Sequence, residues 1–326
     1  MTLALDSVAH LLVDAVCAAT VFGKFSGERM ALLIIIYNTL AFSTQCLAGL
    51  VTDRVGHLRA VTAGAAFAVV LGFALPLPQE IRVVLIGLGN SLFHVGGGTR
   101  TLLNSEKRAG PLGVFVAPGC IGLVLGTLFP RLGIVFAALL TAAALLICVS
   151  KSAPDSVPVH TEKAKKSPVA VLVLLTFAVA VRAIGGTCVS FPWKSGAALT
   201  IIMTLFVFAG KTLGGFVCDK LGAGKTAAIS MPLACVLVAF CFFWMVPSLA
   251  GQLLVNLTMP VTLYLMYRAV PDSPGFAFGL AASALWPGTI AGGLIQLTGL
   301  WQAVLIIACF AFGLISILYA DRRLKR

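Results

Sequence analysis

Twelve runs of about twenty mostly apolar residues, parted by short breaks of Gly, Pro and charge, fill nearly the whole chain. A bilayer's hydrocarbon core is about 30 Å thick and takes ~20 residues of helix to cross. Only elements that satisfy their own backbone hydrogen bonds can cross it. The runs fall at 3–23, 30–52, 58–77, 81–104, 110–130, 132–150, 168–190, 195–218, 226–247, 249–270, 275–297 and 300–320. Hydrophobic residues make up 60% of the chain and charged residues 10%, against roughly 45–50% and about 25% in soluble domains. Such a chain has too little polar surface to face water on all sides. This excludes an ordinary soluble enzyme and predicts an all-α membrane protein of twelve transmembrane helices.

The formal net charge of +12 would point to nucleic acid in a soluble protein. Here it reads as topology. Of the 23 Lys and Arg residues, fifteen fall in loops and a tail on one side of an even-numbered threading and five on the other, the latter including Arg82. Three (Arg100, Arg182 and Lys211) fall inside spans. The bias places both termini in the cytoplasm, and no nucleic-acid partner is expected. The first run has no basic segment ahead of it and carries Asp6, His10 and Asp14, unlike a signal-peptide core, so it reads as a retained helix. The nine cysteines form no CxxC pair and no metal-ligand spacing with His. They read as packing residues, and neither a cofactor nor a metal centre is expected.

The polar, basic stretch 151–167 divides the chain into an N-terminal six-helix bundle, 1–150, and a C-terminal one, 168–326. A repeat supports the division. "GLVTDRVGHLR", 49–59, and "GFVCDKLGAGK", 215–225, share the pattern G-x-x-x-D-[RK]-x-G-x-x-[RK] after the second span of each half. Parallel repeats of this kind are a transporter architecture. The second copy runs into Gly-Ala-Gly-Lys-Thr, which resembles the end of a phosphate-binding loop. That loop requires Gly five residues before Gly224, where Asp219 stands, so the phosphate-loop reading fails.

A charge at a helix centre costs ~2.5–3.5 kcal/mol on insertion scales, so each one needs a reason. Asp6, His10 and Asp14, spaced i, i+4, i+8, share one face of the first helix. Asp6 is expected near a solvated end. Asp14, close to mid-span, is expected to face water and carry a coupling proton with His10 as partner; the alternative is a static polar clamp between helices. Asn90 and His94 share a face of span four, with Gly96, Gly97 and Gly98 and then Arg100 beyond. The glycines permit a bend or a close helix approach, with backbone amides available to an anion. Arg182 lies inside span seven. Lys211, in span eight, either faces the same passage or snorkels. This excess of cations favours an anionic substrate held by Asn90, His94, Arg100, Arg182 and Lys211. The competing account pairs Asp14 with Arg100 or Arg182. No constellation of paired carboxylates, Cys/His or metal ligands speaks for an enzyme.

The two Asp-basic-Gly loops, the twelve short-looped spans and the central linker resemble the major facilitator superfamily over essentially the whole chain. "HLLVDAV" at 10–16, "GLGNSLFHVGGGTR" at 87–100 and the glycine-rich "GPLGVFVAPGCIGLVLGTLFP" at 110–130 look like its fosmidomycin-resistance exporter branch. That branch has Pro directly after the span-four His, where this chain has Val95. The resemblance implies two pseudo-symmetric six-helix bundles working by alternating access. In its gating loops Asp53 would cap or pair with the other half, and Arg54 and Arg59 would hold the cytoplasmic side shut. Gly49 and Gly56 would allow the close turn. Gly215, Asp219, Lys220, Gly222 and Lys225 would echo them. It implies a monomer in the bacterial inner membrane that exports a small organic anion or antibiotic-like solute against protons. Its alternatives are an uptake symporter for an anionic metabolite and a non-transporting receptor or assembly factor on a transporter frame.

Overall fold

The computed structural model describes residues 2–150, 155–157 and 169–325. Of the linker expected at 151–167, all but 155–157 lies outside the described residues, as do the basic residues Lys151, Lys163, Lys165, Lys166 and Arg326.

Among the described residues the chain is all helix. In order it forms α1 (Thr2–Lys24), α2 (Met30–Asn38), a π-helical turn (Thr39–Ser43), α3 (Gln45–Thr52), α4 (Leu58–Ala74), α5 (Gln79–Asn104), α6 (Gly110–Val116), α7 (Pro118–Leu128), a 3₁₀ turn (Pro130–Leu132) and α8 (Gly133–Val149). There follow α9 (Val169–Thr187), α10 (Gly196–Leu221), α11 (Ala223–Phe240), α12 (Met245–Ala269), α13 (Pro274–Ser283), α14 (Leu285–Leu294) and α15 (Gly299–Leu324). Among the described residues, eleven continuous or broken helices are long and apolar enough to cross a bilayer, and α4, with 17 residues, is a shorter apolar helix. Together they account for the twelve expected runs. Large apolar side chains such as Leu139, Leu145, Leu146 and Val149 stand exposed along α8. Faces of this kind belong against acyl chains rather than water.

Two compact units form. One holds Met1–Glu106, Phe115–Val159 and Asp272–Ser283; the other holds Lys107–Val114, His160–Pro271 and Ala284–Arg326. Each unit follows one half of the sequence except for a short exchanged segment. The exchanges end beside the helix breaks at Ala117 and Ala284, and a proline accounts for each break. Pro118 and Pro287 lack an N–H, and their rings would clash with the carbonyls four residues back, those of Val114 and Ser283.

Glycines set the helix contacts within each unit. In the first, a side chain at Gly122 or Gly126 of α7 would collide with the Leu11 or Ala15 carbonyl of α1. In the second, Gly288 and Gly292 of α14 meet α9 in the same way, at the Ala180 and Ile184 carbonyls, and Gly210 and Gly214 of α10 meet α12. Lipid tails are as apolar as Leu, so close packing of small residues drives association where the hydrophobic effect is absent.

Three expectations are corrected. Gly96, Gly97 and Gly98 serve the close helix approach and do not offer amides to an anion. The helix runs unbroken, and the three positions are covered by Thr62 and by the rings of Phe115 and Phe278. Arg82 is not a loop charge. It is buried and donates to the carbonyls of Gly72, Phe73, Leu75 and Leu77, at 2.7–3.3 Å, closing the open end of α4. Asp6 is not solvated, as the next subsection describes.

Candidate functional site

Within the first unit α1, α5 and the α6–α7 break converge on a polar cluster. His10 and Asp14 lie one turn apart on α1, and Asn90 and His94 one turn apart on α5. The Nε2 atoms of His10 and His94 are 2.7 Å apart. Each ring is oriented from behind: His10 Nδ1 lies 2.7 Å from the Phe115 carbonyl and His94 Nδ1 2.9 Å from the Asn90 carbonyl. Asp14 closes the third corner. Its Oδ2 is 3.4 Å from His10 Nε2 and its Oδ1 3.7 Å from His94 Nε2. Asn90 Nδ2 donates to Asp14 Oδ1 at 2.9 Å and also contacts Tyr37 Oη and Cys17 Sγ, two residues the sequence reading did not single out. Gly119 faces the cluster, and a Cβ there would collide with Asp14 Oδ2 and with His10 Nε2. Among the described residues these two imidazoles and one carboxylate are also the group close enough to offer ligands to a metal ion, their donor atoms lying within 4.8 Å of one another.

Arg100 turns elsewhere. Its Nε donates to Asp6 Oδ2 at 3.1 Å, and both side chains are 3% exposed. The pairing is internal, as the competing account anticipated, but the partner is Asp6 rather than Asp14.

In the second unit Arg182 is buried on α9. Its Nη1 donates to the Thr258 and Thr262 hydroxyls on α12 at 3.3 and 3.4 Å. Both hydroxyls already donate to main-chain carbonyls of α12, so they receive the guanidinium as acceptors. Among the described residues no carboxylate pairs with Arg182. Lys211 is half-buried on α10. Pairing across 76 and 80 residues left Thr258 and Thr262 invisible to sequence reasoning.

The repeated loops show one device twice. Asp53 accepts the Gly275 and Phe276 amides, at 2.7 and 2.8 Å, at the start of α13. Asp219 accepts the Ala109 and Gly110 amides, at 2.6 and 2.9 Å, at the start of α6. Both carboxylates sit where helix amides lack intrahelical partners. Burial pushes Asp53's carboxyl above the ordinary carboxylate range, against the pull of its two amides. Gly49 is not a turn residue. It lies inside α3, and a side chain there would strike the Gly275 carbonyl, as one at Gly215 would strike that of Ala109. Gly56 is exposed with room around it; the left-handed turns fall at His57 (φ +94°) and Gly222 (φ +84°).

Arg54, Lys220 and Lys225 are exposed. Arg59 instead grips the segment after span six. Its backbone N–H and its Nη2 reach the two Asp155 carboxylate oxygens at 2.7 and 2.9 Å, while the Asp155 carbonyl accepts the His57 and Leu58 amides at 2.8 Å. Burial works to raise the Asp155 carboxyl, but the Arg59 hydrogen bonds and charge outweigh it and hold the group below its ordinary range.

No protein-family model matches the sequence, and no curated protein matches it. Among solved structures the chain is similar to the major facilitator superfamily transporter FucP in its outward conformation, with a TM-score of 0.70 and 14% identity over 97% of each chain. It is equally similar to a single-residue variant of the E. coli fucose:proton symporter FucP, with a TM-score of 0.70 and 14% identity over 98% of each chain. The likeness carries the fold. This is a multi-pass integral membrane protein with the major facilitator architecture.

Proposed function

We propose that the chain is a proton-coupled secondary active transporter of a small organic anion, working by alternating access. The observation that carries the anion is Arg182. A guanidinium has five N–H donors, and among the described residues this buried one is met by two long hydrogen bonds to hydroxyls. A buried cation without a counter-ion is costly, and a carboxylate, phosphonate or phosphate ester would remove that cost while using the planar donor fork. Lys211 on α10 is a second cation for the same solute. Arg100, in the other compact unit, already has Asp6 beside it and is left to that pair. Asn90 and His94 are engaged by Asp14 and His10, which supports assigning them to proton coupling together with those two residues.

Outward transport is favoured by the resemblance of span five to exporters. FucP is a fucose:proton symporter, so uptake is the second reading. Gating by Asp53 and Asp219 is supported by their matched amide contacts. The test is a thermal-shift screen of small carboxylates, phosphates and phosphonates on the purified protein, repeated with Arg182→Ala. A ligand that stabilises the native chain and not the variant supports the reading. Equal stabilisation of both removes Arg182 from it.

A further inference from the structure

The hydrogen bonds behind the two histidine rings constrain what lies between them. A carbonyl oxygen only accepts, so the Nδ1 atoms of His10 and His94 both carry hydrogen, donated to Phe115 O and Asn90 O. In a neutral imidazole the other nitrogen is then a bare acceptor. Two bare acceptors would face each other across 2.7 Å, which is repulsive. A cation between them resolves the conflict, and its size decides its identity. Two imidazole nitrogens bound to one tetrahedral Zn²⁺ at ~2.0–2.1 Å stand about 3.3 Å apart. The observed 2.7 Å is the length of a short hydrogen bond. Asp14 stands at 3.4 and 3.7 Å, near enough to balance a charge without competing for the proton.

We infer that His10 and His94 hold a single proton between their Nε2 atoms, with Asp14 as the fixed counter-charge, so that the coupling proton resides on the histidine pair rather than on the carboxylate. This rests on the proton-coupled reading above and deepens it. It also assigns His94, expected to touch substrate, to the proton site. Loaded, the cluster is neutral overall; unloaded, it carries the charge of Asp14. Burying an uncompensated charge is costly, so loading decides how readily the cluster can be closed off from water. The titratable groups facing it are Asp14 and Cys17 from α1 and Tyr37 from α2. The parts of α6 and α7 that face it, Phe115 and Gly119, are not titratable, and the Asp6–Arg100 pair neutralises itself.

The experiment is nitrogen NMR on protein labelled with ¹⁵N-histidine in lipid nanodiscs, together with dye-monitored proton uptake on acidification. The expected result is a scalar coupling between the two Nε2 nuclei across one hydrogen. Both His94→Gln and His10→Gln should lose that coupling and take up one proton fewer per chain. Two imidazoles that titrate separately without coupling would overturn the inference, as would stoichiometric Zn²⁺ binding that displaces no proton. If a glutamine variant fails to fold, the wild-type coupling still decides. The anion-dependent thermal shift at Arg182 is read independently, so loss of the shared proton alone leaves the transport reading standing.

Discussion

Asp14 and Asn90, 76 residues apart, are joined by a hydrogen bond of 2.9 Å that ties the polar face of α1 to α5. It holds the carboxylate that faces both histidines, and among the described residues it leaves Asn90 Oδ1 buried without a partner. A buried unsatisfied oxygen costs about 1–3 kcal/mol. A cluster that tolerates that cost is positioned for something other than stability.

The cluster has no spare volume on its α7 side. Gly119→Ala puts a methyl group against Asp14 Oδ2 and His10 Nε2, and overpacking of this kind costs about 1–3 kcal/mol. The expected outcome is a lowered thermal midpoint together with loss of the coupling between the histidine nitrogens. Gly64→Ala on α4, where nothing lies within 4 Å, is the control. It should leave both readouts intact and raise the midpoint through better helix propensity. Equal behaviour of the two variants would remove Gly119 from the site.

The clip between Arg59 and Asp155 has a defined pH dependence. The Asp155 carboxyl is held below its ordinary value, about 3.9 in model peptides. A depressed carboxyl contributes stability that is fully present above the ordinary value and lost as pH falls through the lower folded one. Amide exchange at the first turn of α4, corrected for its intrinsic pH dependence, should therefore stay slow through neutral and mildly acidic pH. It should rise only below the ordinary carboxylate range. Asp155→Asn should raise it at neutral and mildly acidic pH and remove the pH dependence, and opening of the native clip in mild acid would contradict the geometry.

The fold was legible because its signal is redundant. Apolar runs of spanning length, the bias of basic residues and the repeat at 49–59 and 215–225 all indicate the same twelve-span threading. The site was only partly legible. The spacing of His10 and Asp14 placed them on one face without structure, as did that of Asn90 and His94. Which faces meet is a long-range fact: nothing local in α1 indicates that His10 finds His94, or that Asp6 finds Arg100. Pro118 and Pro287 stand at the breaks in spans five and eleven, yet the exchange of 107–114 and 272–283 between the units depends on packing that no single span encodes. The π-helical turn at Thr39–Ser43 carries no marker either. Its use appears only where the Ser283 hydroxyl reaches the Phe42 carbonyl at 3.2 Å.

The paired loops predict matched mutational effects. Asp53→Ala and Asp219→Ala each remove two amide acceptors at a helix start, and losses of this type run about 0.5–2 kcal/mol. The two caps lie in different compact units, so their effects should add. Gly49→Ala and Gly215→Ala should each cost more than the neighbouring Asp change, because main chain rather than a flexible side chain has to move. Thermal unfolding in detergent measures all five variants, counting the double one. A cheap glycine variant beside a costly aspartate variant would show that the helices are less tightly apposed than the structure has them.

The buried Asp6–Arg100 pair separates stability from coupling. Both side chains are 3% exposed, and among the described residues Asp6 Oδ1 has no partner. The attraction therefore offsets two desolvation costs with one hydrogen bond. Removing a single partner strands a buried charge and costs about 3–5 kcal/mol, whereas replacing both with apolar residues of similar size is often neutral or stabilising. Arg100→Met alone should sharply lower the denaturation midpoint, and adding Asp6→Leu should recover most of the loss. Neither change touches the histidine pair, so proton uptake at His10 and His94 should persist in the double variant. If Arg100→Met alone proves cheap, Asp6 is already protonated and the contact is a guanidinium donating to a neutral carboxyl. Arg100 would then carry an unbalanced charge.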